Sequence, residues 1–161
     1  MLFSTKAEYG VRLMVELGRQ ADRGPVSLTS VAEVENLPLS YMEHLVAKLR
    51  KAGLVVSTRG AHGGYTLARP AAEIQMLEVV EALEGPVVPM ECFHEEPEGR
   101  VQCSHLTVEG ETDGTCATKF LWMRVHSGVT SALRGTTLEE LVAFSRSGSS
   151  PVDGTRAASP A

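Results

Sequence analysis

The sequence predicts a mainly α protein with a small β-wing, in which a winged helix-turn-helix domain is followed by a long C-terminal helix. Residues 39–67 carry this prediction, because a helical segment ends at Gly53 and two short apolar strands then flank a glycine-rich turn. Apolar residues at helical spacing also precede this segment and return between residues 117 and 133. A capped helix followed by a tight basic hairpin is how a winged helix is built to enter DNA.

Capping signatures and helix breakers predict the helices in order. A Ser or Thr followed three residues later by Glu is typical of a helix start, and Gly or Pro is typical of a stop. The predicted helices run from Thr5, with Glu8 completing a capping box, to about Gly18; from Ser27 or Thr29 to Asn36-Leu-Pro38; from Ser40 to Gly53; from Glu73 to Leu83, before Gly85-Pro86; from Ala117 to Leu133; and from Thr136 to Phe144.

The helix that starts at Ser40 is the predicted recognition helix. Ser40 can cap it, and Glu43 can reach back to complete a capping box. The predicted apolar face consists of Leu45, Leu49 and Ala52. The polar side chains left for solvent or phosphate are His44, Lys48, Arg50 and Lys51.

A hairpin wing is predicted directly after this helix. Its strands are residues 55–57 and 65–67, and its turn is residues 59–64, with the sequence Arg-Gly-Ala-His-Gly-Gly. Glycines let this backbone turn tightly and lie close to a partner. We expect Arg59 and His62 to point outward from the tip.

Charge is segregated along the chain, whose formal net charge is −5. Residues 44–69 hold five Lys and Arg side chains and no acidic residue, whereas residues 70–116 hold eleven acidic residues and one Arg. A basic face can therefore approach phosphate while acidic surface points away from it.

The length of 161 residues leaves room for one modest domain and an appendage. The chain shows no signal-peptide pattern and no apolar stretch long enough to span a bilayer, so we expect a cytoplasmic protein. It also lacks a phosphate loop after a strand, a nucleophile elbow and a zinc-protease pair, so we do not expect an enzyme.

All three cysteines, Cys92, Cys103 and Cys116, lie in one segment without apolar periodicity. A structureless loop of this length is unexpected unless something organises it. An odd number of thiols in a reducing compartment favours metal or redox chemistry over structural disulfides. Three thiolates can bind an iron-sulfur cluster or zinc, and their spacing alone leaves a cluster, zinc and free thiols equally open.

These patterns divide the chain into four parts. Residues 1–84 form the winged helix-turn-helix DNA-binding domain, and residues 85–116 form the cysteine-bearing loop. Residues 117–146 hold the long helix and a short terminal helix. Residues 147–161, rich in Ser, Gly, Pro and Ala, are predicted to be a disordered tail.

The chain resembles the bacterial iron-sulfur-cluster regulators, the winged-helix family that includes IscR, NsrR and RirA. The resemblance covers nearly everything before the tail and is most specific in residues 39–45, 49–55 and 59–67. It implies a homodimer in which the long helix is the dimerisation helix and pairs across the twofold axis. It also implies that a cluster, 2Fe-2S or alternatively 4Fe-4S, sets the affinity for double-stranded promoter DNA, which we expect to be palindromic.

The same resemblance implies a set of cluster ligands. The three cysteines would bind the cluster, and a fourth ligand is needed. IscR-type members place a histidine three residues after the last cysteine, but this chain has Lys119, a protonated amine unsuited to iron. NsrR-type members recruit a carboxylate from the first helix of the partner subunit, and Glu8 occupies that position. Alternatively, Glu8 is only a capping residue and His105 or His94, inside the loop, is the ligand.

The candidate DNA contacts follow from their places in the predicted elements. The N-terminal end of a recognition helix meets base edges, whereas cations on later turns usually address the phosphate backbone. Ser40, Tyr41, Glu43 and His44 fall in the first group; Lys48, Arg50 and Lys51 fall in the second; Arg59 and His62 lie on the wing. Glu43 can accept a hydrogen bond from cytosine N4 unless it acts only as a cap, and Arg59 suits a narrow minor groove.

Two other functions stay open from the sequence. One is a cluster-free winged-helix regulator with zinc-bound or directly oxidised thiols. The other is an adaptor that uses the winged helix to bind a metabolic enzyme. If a cluster is present, its signal can be redox state, nitric oxide or iron status.

Overall fold

The computed structural model describes residues 4–60, 62–88 and 117–148, without the side chain of Lys119. These residues form helices and one two-stranded antiparallel sheet, which confirms the mainly α fold with a small β-wing. The elements are α1 (Thr5–Arg19), α2 (Leu28–Glu35), α3 (Leu39–Lys51), β1 (Val55–Thr58), β2 (Gly64–Leu67), α4 (Met76–Glu84), α5 (Ala117–Gly135) and α6 (Leu138–Ser147).

Helix α1 lies at the centre of the core and packs against α3, α4 and α6. The fully buried side chains at these contacts include Leu13, Met14, Leu17, Met42, Leu45, Leu49, Leu83 and Leu138. Burying one such side chain stabilises the fold by about 1.5–3 kcal/mol. Two glycines bring the helices close, since a Cβ atom on Gly10 would overlap Leu83 and one on Gly18 would lie 2.6 Å from a methyl of Val142.

The helix-turn-helix consists of α2 and α3. The hydroxyl of Ser27 accepts a hydrogen bond from the Ser30 N–H, so Ser27 is the cap of α2 and Thr29 lies inside the helix. Asn36 ends α2 in the left-handed conformation, with φ 52°, which Asn tolerates better than most residues. Pro38 then fixes the backbone just before α3.

The wing pairs Val55 with Leu67 and Thr58 with Gly64 in antiparallel register. A backbone bridge also joins β2 to Val26, which precedes the α2 cap Ser27, since Tyr65 N–H donates to Val26 O at 2.8 Å and Val26 N–H donates to Tyr65 O at 3.0 Å. Gly64 permits this approach, because a Cβ atom there would overlap the Val26 backbone. The wing is therefore attached to the helix-turn-helix.

Four predicted helix starts differ from the structure, and that of α6 differs by one residue, since Thr137 and not Thr136 is its cap. The cap of α1 is Ser4, not Thr5, and its hydroxyl accepts from the Lys6 N–H at 3.1 Å. The cap of α3 is Pro38 without a side-chain bond, because its backbone already enters the helix and its carbonyl accepts from Tyr41 and Met42. Ser40 therefore lies inside the first turn and caps nothing.

The remaining wrong start is that of α4. Residues 71–73 form a short 3-10 turn, Ile74 is extended, and the helix begins at Met76 with Gln75 and Glu78 as its capping box. In α3, Ala52 is an exposed C-cap residue and not part of the apolar face. Helix α6 continues to Ser147, so the last helix extends beyond the predicted Phe144.

The second half of α5 packs on α4, where Val129 and Leu133 lie against Leu77 and Val80 of that helix and against Val87, which follows it. Among the described residues, no helix is both long enough and apolar enough to cross a membrane.

Candidate nucleic-acid interface

Burial fixes which face of α3 points away from the protein. Met42, Leu45, Val46 and Leu49 are buried at 0–2% exposure, and they occupy one helical face. The exposed residues of α3 past its first position recur three or four apart on the opposite face: Ser40, Glu43, His44, Ala47, Arg50 and Lys51. We call this set the outer face of α3.

Glu43 is exposed on the outer face of α3. Within the described parts of the chain its carboxylate has no hydrogen-bond or ion-pair partner. It does not cap α3, since that helix has no side-chain cap. The carboxylate is therefore available to accept a hydrogen bond from a base amine.

Aromatic contacts hold the N-terminal end of α3 against α1. The rings of Tyr9 and Tyr41 meet edge-on, with centroids 5.8 Å apart and an interplanar angle of 89°. The guanidinium carbon of Arg12 lies 5.8 Å from the centre of the Tyr9 ring. Arg12 also pairs with Glu8 at 2.8 Å and with Glu35 of α2 at 3.7 Å, so one guanidinium connects α1 with the helix-turn-helix.

Lys48 differs from the other cations of α3. Its ammonium donates a hydrogen bond to the carbonyl oxygen of Leu83, at the end of α4, at 2.9 Å. The last carbonyls of a helix lack intrahelical partners and lie at the negative end of its dipole, so they favour a cation. In this structure the charge of Lys48 is directed into the protein, away from the outer face of α3.

The tip of the wing carries Arg59 and His62 on its surface, and both side chains are exposed. Gly60 has φ 124°, a conformation that side-chain-bearing residues rarely adopt. Arg50 Nη1 also lies 3.5 Å from the hydroxyl oxygen of Ser57 in β1 of the wing. The outer face of α3 and the wing thus lie next to each other.

Glu84, the last residue of α4, acts as a cap for α1. Its carboxylate accepts hydrogen bonds from the Ser4 hydroxyl, from the Ser4 N–H at 3.2 Å and from the Ala7 N–H at 3.3 Å. The Ser4 hydroxyl is the main cause of a lowered pKa at Glu84, helped by the Ala7 N–H and the charge of Lys6 and opposed by desolvation. A carboxylate is favoured there because it meets the positive end of the α1 dipole.

The predicted metal ligands are not brought together among the described residues. Cys92, Cys103, Cys116, His94 and His105 lie outside them. Glu8 lies in the first turn of α1 with its side chain 54% exposed and paired to Arg12. The described part of the chain contains no group of three His, Cys, Asp or Glu side chains placed to hold a metal ion.

Three supporting residues were not found from the sequence. Arg12 follows Glu8 by four residues, so helical spacing alone could have indicated that pair. Tyr9 and Glu84 act across elements distant in the sequence, and no local pattern indicates such contacts.

Comparisons with known proteins agree with this arrangement. A family model described as Rrf2, an iron-dependent transcriptional regulator, matches residues 3–143. The HTH-type transcriptional regulator CymR of Bacillus subtilis is 37% identical over 144 residues, 89% of this chain and 91% of CymR.

Two solved structures have the same fold. The structure of CymR, described as the global cysteine regulator of B. subtilis, has a TM-score of 0.71 at 38% identity and covers 89% of this chain and 98% of CymR. The structure of T. potens IscR has a TM-score of 0.71 at 33% identity and covers 93% of this chain and 92% of IscR. Since one family model spans most of the chain and its relatives are matched over nearly their whole length, this protein belongs to the Rrf2 family of transcriptional regulators.

Proposed function

We propose that the protein is a homodimeric DNA-binding regulator whose affinity for promoter DNA is controlled by an iron-sulfur cluster that senses redox state, nitric oxide or iron status. The observation that carries the DNA-binding part is the outer face of α3 beside the wing. Glu43 and His44 address base edges there, Arg50 and Lys51 address phosphate, and Arg59 addresses the minor groove.

A dimer is supported by the first half of α5. Phe120, Leu121 and Met123 are 64%, 56% and 51% exposed, whereas the second half of the helix is packed on α4. Contiguous exposed apolar side chains on a soluble protein mark an interaction surface. A second copy of the chain is the occupant that fits, because two such helices can cover each other's apolar side chains about a twofold axis.

The cluster part rests on the donor set. Three thiolates suit iron, and the matching family is described as iron-dependent. Glu8 is exposed enough to be reached from outside its own protomer, but its carboxylate is paired with Arg12. To bind iron, the Glu8 carboxylate would therefore have to give up its ion pair with Arg12. A bound cluster would supply the redox-active and nitric-oxide-reactive group, and carboxylate ligation would make it more labile than a ligand set of cysteines alone.

The experiment is metal analysis of protein purified without oxygen. We expect about equal iron and acid-labile sulfide, visible absorption, and loss of both in a Cys92→Ser, Cys103→Ser, Cys116→Ser variant. Colourless protein that stays colourless after reconstitution would overturn the cluster. For the fourth ligand, Glu8→Ala should alter absorption and cluster lifetime, whereas Glu33→Ala, an exposed acid on α2, should not.

A second candidate is a cluster-free regulator with zinc-bound or directly oxidised thiols. It is favoured by the likeness to CymR, described as a cysteine regulator, because the fold alone does not specify the signal. Zinc without sulfide, or thiols that oxidise reversibly while DNA affinity changes, would support this candidate over the first.

A further inference from the structure

The last turn of α4 is bonded to both α1 and α3. Lys48 Nζ of α3 donates to the carbonyl of Leu83 at 2.9 Å. One residue further, the Glu84 carboxylate accepts from Ser4 and from the Ala7 N–H at the start of α1. One helix end therefore holds the N-terminal end of α1 and the third turn of α3.

This turn is a closely packed part of the core. The Leu83 side chain is 1% exposed and fills the space left by the missing Cβ of Gly10 in α1. Lys48 is half-buried, whereas Lys51, one turn further along α3, is exposed. The two lysines carry the same charge on the same helix but face different surroundings.

We infer that Lys48 is a positioning residue for DNA recognition, which docks α3 on the last turn of α4 and so makes the position of the outer face of α3 depend on that turn. The inference rests on the proposed function in one respect, that α3 contacts DNA. Because Glu84 holds the same turn from the side of α1, the effects of Lys48 and Glu84 on DNA affinity are coupled.

Salt dependence separates positioning from phosphate contact. Neutralising a phosphate releases counterions, so log affinity falls with log salt, and losing one phosphate contact makes that negative slope shallower by about 0.9. We expect Lys48→Met to lower affinity by about 3- to 10-fold with an unchanged slope. Lys51→Met is the matched control. It should make the negative salt slope shallower by about 0.9, the value for one phosphate contact. A shallower slope for Lys48→Met, or an affinity equal to wild type, would overturn the inference.

A double-mutant comparison tests the shared turn. In Lys48→Met with Glu84→Gln, the loss of affinity should be smaller than the product of the two single losses, because both variants free the same turn. In Lys51→Met with Glu84→Gln, the losses should multiply. If Lys48→Met does not fold, Lys48→Arg replaces it. Arg keeps a donor for the Leu83 carbonyl and should retain most of the DNA affinity. Loss of affinity in this folded variant would count against the inference.

Failure of the proposed function gives a different result from failure of this inference. If Lys51→Met and Arg59→Ala both bind promoter DNA as wild type does, the proposed DNA surface is wrong. If these two weaken binding but the Lys48 and Glu84 losses simply multiply, the DNA surface stands and only the role of the α4 turn is overturned.

Discussion

Tyr9 of α1 and Tyr41 of α3 meet edge-on with their ring centroids 5.8 Å apart. This contact lies at the N-terminal end of the recognition helix, the end that we propose reads bases. The guanidinium of Arg12 lies beside the Tyr9 ring. It also forms ion pairs with Glu8 and Glu35. The first turns of α1 therefore contact the residues that orient α3, and a displacement of these turns would be transmitted to α3.

The ring of Tyr41 should matter more for stability than its hydroxyl. An edge-to-face aromatic pair contributes about 0.5–1.5 kcal/mol beyond area burial, so we expect Tyr41→Ala to lower the free energy of unfolding by about 1–3 kcal/mol. Tyr41→Phe keeps the ring and should unfold at the wild-type urea concentration. Equal stability of the Ala and Phe variants would contradict a packing role for the ring.

The Glu84 contacts predict a pH-dependent contribution to stability. Its pKa in the folded protein is below the ordinary value of 4.5, so the charged form is favoured by folding. The contribution is fully present above pH 4.5 and is lost as the pH falls through the lowered pKa. Glu84→Gln should therefore be less stable than wild type at pH 7, and urea unfolding should show this difference shrinking on acidification. A difference that stays constant with pH would mean that the charge of Glu84 is not involved.

Local patterns predicted most elements because each had a strong nearby signal. Ser27 caps α2 as one of two candidates, Asn36 ends that helix, and the Thr137 and Glu140 capping box starts α6 one residue after the predicted Thr136. The wrong starts arose where two signals competed. At α3, Pro38 initiates the helix through its backbone, and Ser40 matches the capping pattern two residues too late.

The site was predictable where it depends on helix periodicity. Glu43 and His44 fall on the outer face of α3 because Leu45 and Leu49 define the buried one. The orientation of Lys48 was not predictable, because its partner is a backbone carbonyl 35 residues away in the chain. Spacing alone also does not distinguish a cluster from zinc at the cysteines, since both accept thiolates.

Gly10 should be intolerant of even one added methyl group. A Cβ atom there would overlap a terminal methyl of the buried Leu83 side chain, and overpacking of this kind costs about 1–3 kcal/mol, against about 1 kcal/mol that Ala gains over Gly inside a helix. We expect Gly10→Ala to lower the melting temperature, and the addition of Leu83→Val to restore part of the loss by removing the overlapping atoms. A Gly10→Ala variant more stable than wild type would show that Leu83 yields to the added methyl and that the contact between α1 and α4 does not require glycine.

Arg59 should contribute to DNA affinity from the tip of the wing. Its guanidinium is exposed on a turn whose glycines allow close approach to the duplex. We expect Arg59→Ala to weaken promoter binding by about tenfold and to make the negative slope of log affinity against log salt shallower by about 0.9. Arg23→Ala, which removes the same charge from an exposed position after α1, is the control and should leave both quantities unchanged. Equal effects of the two variants would indicate a general charge effect and no contact by the wing.

Leu121 should decide whether two chains associate. It is 56% exposed on the half of α5 that carries Phe120 and Met123, and a carboxylate placed in an apolar interface loses its hydration without a partner. We expect Leu121→Glu to weaken the dimer by at least about tenfold in sedimentation equilibrium. Ser131→Glu adds the same charge at an exposed position on the other half of α5 and should remain dimeric.

Because one chain has one outer face of α3, the Leu121→Glu protein should also bind a palindromic site more weakly at low protein concentration. A Leu121→Glu protein that stays fully dimeric would place the dimer interface away from the first half of α5.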